Sequence, residues 1–102
     1  MPQRHRVASV GAVPPGTGRA FSVEGRTLAV FNIGGRFLAI DDRCSHDCAS
    51  LAEGGLEGTT VTCPRHGAEF DVTSGRALCL PAVEDVRSFP VFLNGDMIEV
   101  EL

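Results

Sequence analysis

Cys44, His46, Cys63 and His66 form the densest set of metal-binding side chains in the chain. They fall as two pairs, Cys44-Ser45-His46 and Cys63-Pro64-Arg65-His66, with 16 residues between the pairs. Two thiolates and two imidazoles complete the coordination of either of two centres. One is a tetrahedral structural zinc ion. The other is a [2Fe–2S] cluster in which two histidines replace two cysteines on one iron. The spacing separates them. Zinc modules usually set two like ligands close together on a knuckle, Cys with Cys or His with His. Here each pair supplies one Cys and one His, which suits a two-iron object taking one ligand per iron from each loop.

Other chemistry finds little support. Beyond the two pairs the only histidine is His5, set between Arg4 and Arg6 near the chain start and expected to be solvated, on a mobile end. A separate iron site of two histidines and a carboxylate therefore has no residues to build it. A dinucleotide fingerprint fails because Gly16-x-Gly18 is followed by Phe21 where the third glycine belongs. No nucleophile set stands apart from the metal pairs. All nine basic residues are arginines spread thinly along a chain of net charge −4, so the basic stripe of a nucleic-acid binder is missing.

The pairs must be held by a scaffold of short strands. At 102 residues there is room for one core, so residues 1–102 are expected to be a single domain. With 43% hydrophobic and 22% charged residues the chain is globular rather than disordered. Strand signals cover Arg6 to Val10, Ala20 to Val23, Thr27 to Ile33, Arg36 to Asp41, Thr59 to Cys63, Glu69 to Val72, Arg76 to Leu80, Val86 to Leu93 and Met97 to Leu102. Gly34-Gly35 reads as a hairpin turn, Thr73-Ser74-Gly75 as another, and Asn94-Gly95 as a type I′ turn. At most one helical turn fits, near Ala49 to Ala52. The fold class is all-β, an antiparallel β-sandwich or small barrel, with both metal pairs on loops between strands. Gly54-Gly55 and Gly67 read as tight turns and points of close approach to the centre.

With these residues in place, the pattern Cys-x-His, 16 residues, Cys-x2-His resembles the Rieske iron–sulfur motif. Ser50-Leu51-Ala52-Glu53-Gly54, the run Cys63-Pro64-Arg65-His66-Gly67-Ala68-Glu69-Phe70-Asp71, Thr73-Ser74-Gly75 and Leu80-Pro81-Ala82 are similar to the small Rieske ferredoxins of multicomponent oxygenase systems. The resemblance spans roughly Thr27 to Leu102. It implies one [2Fe–2S] cluster per chain, with Cys44 and Cys63 on the buried iron and His46 and His66 on the outer one. It also implies cluster-binding loops at about 43–50 and 63–70 capping one end of the β-fold, near the Leu80-Pro81-Ala82 loop. Membrane-bound Rieske proteins carry a disulfide between the two loops. Here Cys48 lies in the first loop but Arg65 occupies the second position, so that bridge has no partner. A bridge between Cys48 and Cys79 is the alternative to two free thiols, and the reducing compartment favours the thiols.

The resemblance further implies a one-electron carrier and not an enzyme, passing electrons from an NAD(P)H-dependent ferredoxin reductase to a terminal, ring-hydroxylating-type oxygenase. Two alternatives stand beside it: the small Rieske subunit of an assimilatory NADH nitrite reductase, and a zinc-stabilised binding module without a redox role. The opening residues lack the apolar run of a signal peptide, and no stretch reaches the roughly 18 apolar residues of a membrane span. The expected setting is the cytoplasm, with no membrane and no nucleic-acid partner, and the expected state is a monomer. High-potential relatives carry a serine after the second His-Gly and a nearby tyrosine. This chain has Ala68 and Phe70 there and no tyrosine at all, which places the expected reduction potential at the low end, about −150 mV. Asp41, Asp42, Asp47, Glu53, Glu57 and Glu69 flank the loops as candidates for steering a basic partner.

Overall fold

The structure, a computed structural model, describes residues 3–43, 50–64, 67–79 and 84–102, with Cys79 described by its backbone. Its strands are β1 (Arg4–Ser9), β2 (Thr17–Val23), β3 (Arg26–Ile33), β4 (Arg36–Asp41), β5 (Gly55–Glu57), β6 (Thr60–Thr62), β7 (Glu69–Asp71), β8 (Arg76–Cys79), β9 (Ser88–Phe89), β10 (Val91–Asn94) and β11 (Met97–Glu101). They form three antiparallel sheets, in the orders β1-β11-β10, β2-β3-β4-β9 and β5-β6-β7-β8. Among the described residues the only helical segments are single 3₁₀ turns at Val10–Ala12 and Leu51–Glu53. The all-β expectation holds.

The β2-β3-β4-β9 sheet is the middle layer, and β3 shows why. Leu28, Ala29, Val30 and Phe31 are all fully buried, a continuous apolar run of the kind a strand covered on both faces requires. Successive side chains point to opposite faces. Leu28 and Val30 enter a core with Val13, Val23, Ala39, Ile98 and Val100, beneath the β1-β11-β10 sheet. Ala29 and Phe31 enter a second core with Ile40, Leu51, Val61, Cys63, Phe70 and Val86, beneath the β5-β6-β7-β8 sheet. Two cores thus share one strand, and the second of them contains Cys63.

Turn chemistry sets the register. Gly34 and Gly35, both at positive φ, join Ile33 to Arg36 as a two-residue hairpin turn. Several boundaries differ from the sequence expectation. The stretch Val86 to Leu93 is two strands: Pro90, with no N–H to give a ladder, separates β9, which pairs with β4, from β10, which pairs with β11. The last hairpin turns on Gly95-Asp96, since Asn94 pairs with Met97. Only Gly95 has positive φ there, the sign pattern of a type II′ turn rather than type I′. β5 was not anticipated, nor was the Glu24-Gly25 turn between β2 and β3. His5 is held in β1 opposite Val100, half-buried, with Nδ1 3.6 Å from Glu24 Oε1, so it is neither mobile nor merely solvated.

Candidate metal centre

Three loops depart from one row of the β5-β6-β7-β8 sheet. Gly55 pairs with Thr62, Thr62 with Glu69, and Glu69 with Cys79. The first ligand loop delivers the chain to Gly55 by way of the Leu51–Glu53 turn. The second begins at Cys63, immediately after Thr62, and returns at Glu69. The Leu80-Pro81-Ala82 segment follows Cys79. Neighbouring strands lie about 4.8 Å apart, so the roots of all three loops are brought within a few strand widths.

The root of the second loop is seen at Cys63, Pro64, Gly67 and Ala68. Cys63 N donates to Ala68 O at 2.6 Å and Gly67 N to Cys63 O at 3.2 Å, closing the segment into a tight turn. Gly67 sits at φ +74°, in the left-handed region, which accounts for the glycine. Cys63 is 2% exposed and shares its buried cluster with Leu51, Ala68, Phe70 and Val86. His66, with Arg65, lies outside the described residues.

The first loop is closed from beneath. Arg43 forms a bridge with Ser50, and Leu51 N donates to Asp42 O. The Asp42 carboxylate accepts from Ser50 Oγ, 2.7 and 2.9 Å from its two oxygens, and from Ala52 N at 2.7 Å. Cys44 and His46, with Asp47 and Cys48, lie outside the described residues. Gly54 is extended rather than a turn residue, so the expected tight turn is absent at that position. Its role is close approach: a Cβ there would overlap the Thr62 carbonyl oxygen. Gly54 therefore seats the end of the first loop against the residue preceding Cys63. Gly75 gives the third loop the same close approach: its N donates to Asp71 O at 2.7 Å, its O accepts Val86 N at 2.8 Å, and a Cβ would overlap Val86 O. Ala77 N donates to Asp85 Oδ1 at 2.8 Å across the base of that loop. Leu80-Pro81-Ala82 itself lies outside the described residues, as does the Cys79 side chain.

The acidic candidates separate by burial. Asp42, 8% exposed, is an internal anchor and no steering charge. Asp41 is half-buried and accepts Arg87 N. Glu69 is half-buried in β7, whereas Glu53 and Glu57 are exposed. Sequence reasoning missed the Asp42 anchor because an aspartate beside a loop reads equally well as a surface charge. The later Ser50 and the open Ala52 amide were the available signal.

The residues present suit an iron–sulfur cluster. The buried Cys63 thiol, in an apolar cluster at a tight glycine turn, would be a soft ligand shielded from solvent, the setting that controls solvent access and potential. The fold and the loop roots together define an all-β iron–sulfur protein. The chain belongs to the Rieske [2Fe-2S] domain family, whose profile matches residues 3–90. It is 50% identical over 76 residues to the 3-phenylpropionate/cinnamic acid dioxygenase ferredoxin subunit of Escherichia coli (strain K12), covering 74% of this chain and 72% of that one. The ferredoxin of carbazole 1,9a-dioxygenase from Nocardioides aromaticivorans IC177 superposes with a TM-score of 0.92 at 35% identity, over 96% of each chain. A complex of reduced oxygenase and oxidized ferredoxin in carbazole 1,9a-dioxygenase matches with a TM-score of 0.88 at 34% identity, over 95% of this chain and 91% of that one. The chain thus carries one [2Fe–2S] cluster and is an electron carrier rather than a catalyst. The zinc-module reading is set aside.

Proposed function

We propose that the protein is the ferredoxin component of an oxygenase system. Cys44, His46, Cys63 and His66 hold the cluster, with the cysteines on the inner iron and the histidines on the outer one. Residues 1–102 act as a single domain. The oxidised cluster accepts one electron from an NAD(P)H-dependent reductase, and the reduced cluster passes it to a terminal, ring-hydroxylating-type oxygenase. The carrier works as a monomer in the cytoplasm.

The observation that supports this reading best is the shared row Gly55–Thr62–Glu69–Cys79, which roots both ligand loops at one edge beside buried Cys63. A cluster held by these loops would lie at that edge of the sheet. The similarity to dioxygenase ferredoxins favours this over the nitrite reductase subunit, which would be a fixed part of a larger enzyme. NADH with a Rieske-system reductase should bleach the visible spectrum by one electron per chain, and a matching terminal oxygenase should restore it with product formed. Bleaching without reoxidation by any such oxygenase would remove the oxygenase assignment. A protein that elutes only in a stable large complex would favour the fixed subunit.

A further inference from the structure

Asp42 combines features the cluster-carrier reading does not use. It is more than nine-tenths buried, and its groups are engaged on both sides of the Cys44–Ala49 span. Asp42 N donates to Thr27 O at 3.1 Å, fixing it to the end of β3. Its carbonyl accepts Leu51 N at 3.2 Å, and its carboxylate accepts Ser50 Oγ and Ala52 N. One residue before the loop thus binds three consecutive residues after it. Ala52 and Leu51 are themselves core residues, packed in the cluster that contains Cys63. The chain then runs to Gly54, pressed on Thr62.

We propose that Asp42 is a positioning residue for the metal centre: its carboxylate latches the two ends of the first ligand loop together and ties them to the core that carries Cys63. The inference rests on the assignment of Cys44 and His46 as ligands. A loop whose ends are pinned presents its ligands without first losing conformational freedom, so the latch slows ligand release rather than adding a ligand. Hydrogen bonding and charge are separable here. Asp42→Asn keeps an oxygen acceptor for the Ala52 amide and Ser50 hydroxyl but removes the charge. Asp42→Ala removes both.

Buried Asn32 supplies the comparison. Its Nδ2 donates to Val13 O and its Oδ1 accepts Gly35 N, both at 2.8 Å. It lies five residues along β3 from Thr27, about 17 Å at strand rise, so it anchors the far end of the same strand. Asn32→Ala reports what loss of a buried polar anchor does to the fold alone.

The test follows cluster loss from the holoprotein by visible absorbance at a fixed temperature below unfolding, with the EPR signature of the reduced protein and thermal unfolding read on the same samples. Asp42→Ala should lose its cluster about tenfold faster than wild type, the ratio expected on losing the two side-chain hydrogen bonds from Ser50 and Ala52 at ordinary strength, and shift its EPR g-values. Asp42→Asn should stay within about twofold of wild type, and Asn32→Ala should lower the unfolding temperature with cluster loss and EPR unchanged. Equal lability in Asp42→Ala and Asn32→Ala, or in Asp42→Ala and Asp42→Asn, would overturn the latch. If Asp42→Ala does not accumulate, Ser50→Ala decides: faster cluster loss supports the latch, and wild-type behaviour overturns it. A wild-type protein that binds no cluster would instead defeat the underlying functional assignment.

Discussion

Of the four proposed ligands, Cys63 is the one that lies among the described residues, and its described neighbours bear on the kind of centre it would serve. Ala68 and Phe70 are completely buried beside it in the same core, and neither carries a hydroxyl. Hydrogen bonds to cluster sulfur favour the reduced state, so the lack of a hydroxyl at these two positions keeps the potential low. The midpoint should lie near the low end of the Rieske range, about −150 mV, and a value above zero by spectroelectrochemistry would contradict that. Ala68→Ser introduces a hydroxyl at the position where high-potential relatives have one. A hydrogen bond about 1 kcal/mol stronger in the reduced state raises a one-electron potential by about 40 mV, and an upward shift of that order is expected. Coordination chemistry restricts ligand types and spacing tightly, which is why the sequence alone singles out four candidates, of which Cys63 lies among the described residues. The Asp42 anchor was not legible in this way, because aspartate, serine and a backbone amide have many other uses, and only burial singles out this set.

The loops depend on how closely the strands and turns beneath them approach. Gly75 joins two constraints, φ of +79° and the Val86 carbonyl lying where a Cβ would go. Gly75→Ala should therefore cost about 2 kcal/mol or more, read as a melting temperature about 10 °C lower in a domain of this size. Gly54 has ordinary φ, so Gly54→Ala tests close approach alone: its Cβ forces the Leu51–Glu53 turn away from Thr62. That variant should lose stability and also release its cluster faster, whereas a surface glycine such as Gly11, with nothing near its Cβ position, should tolerate alanine with neither effect. The same distinction governs what could be read in advance. Hairpins such as Gly34-Gly35 were legible because two glycines dictate a local turn. The three residues of β5 and the division at Pro90 depend on which distant strand each segment meets, and local pattern does not encode that.

Across the molecule, β3 serves two cores at once. One core stabilises the β1-β11-β10 side, and the other holds Cys63 and the loop roots. Phe31 is the largest side chain linking that second core to the middle sheet. Phe31→Ala should cost about 3–5 kcal/mol and leave a protein unable to retain its cluster at room temperature. The surface adds a weaker, long-range influence. The chain has net charge −4, and Glu53, on the turn that follows the first loop, is exposed. If this charge steers a basic partner, Glu53→Lys should slow electron transfer at low salt and flatten its salt dependence. An unchanged rate and salt profile would show that Glu53 is only a solvated surface charge. The central claim is that two Cys-His loops on this scaffold hold a two-iron cluster. Iron and acid-labile sulfide, counted on the freshly purified protein together with its visible spectrum before and after dithionite, test it most directly. The expected result is a red-brown protein with two irons and two sulfides per chain that bleaches on reduction. A colourless protein holding one zinc, unchanged after reconstitution with iron and sulfide, would contradict it.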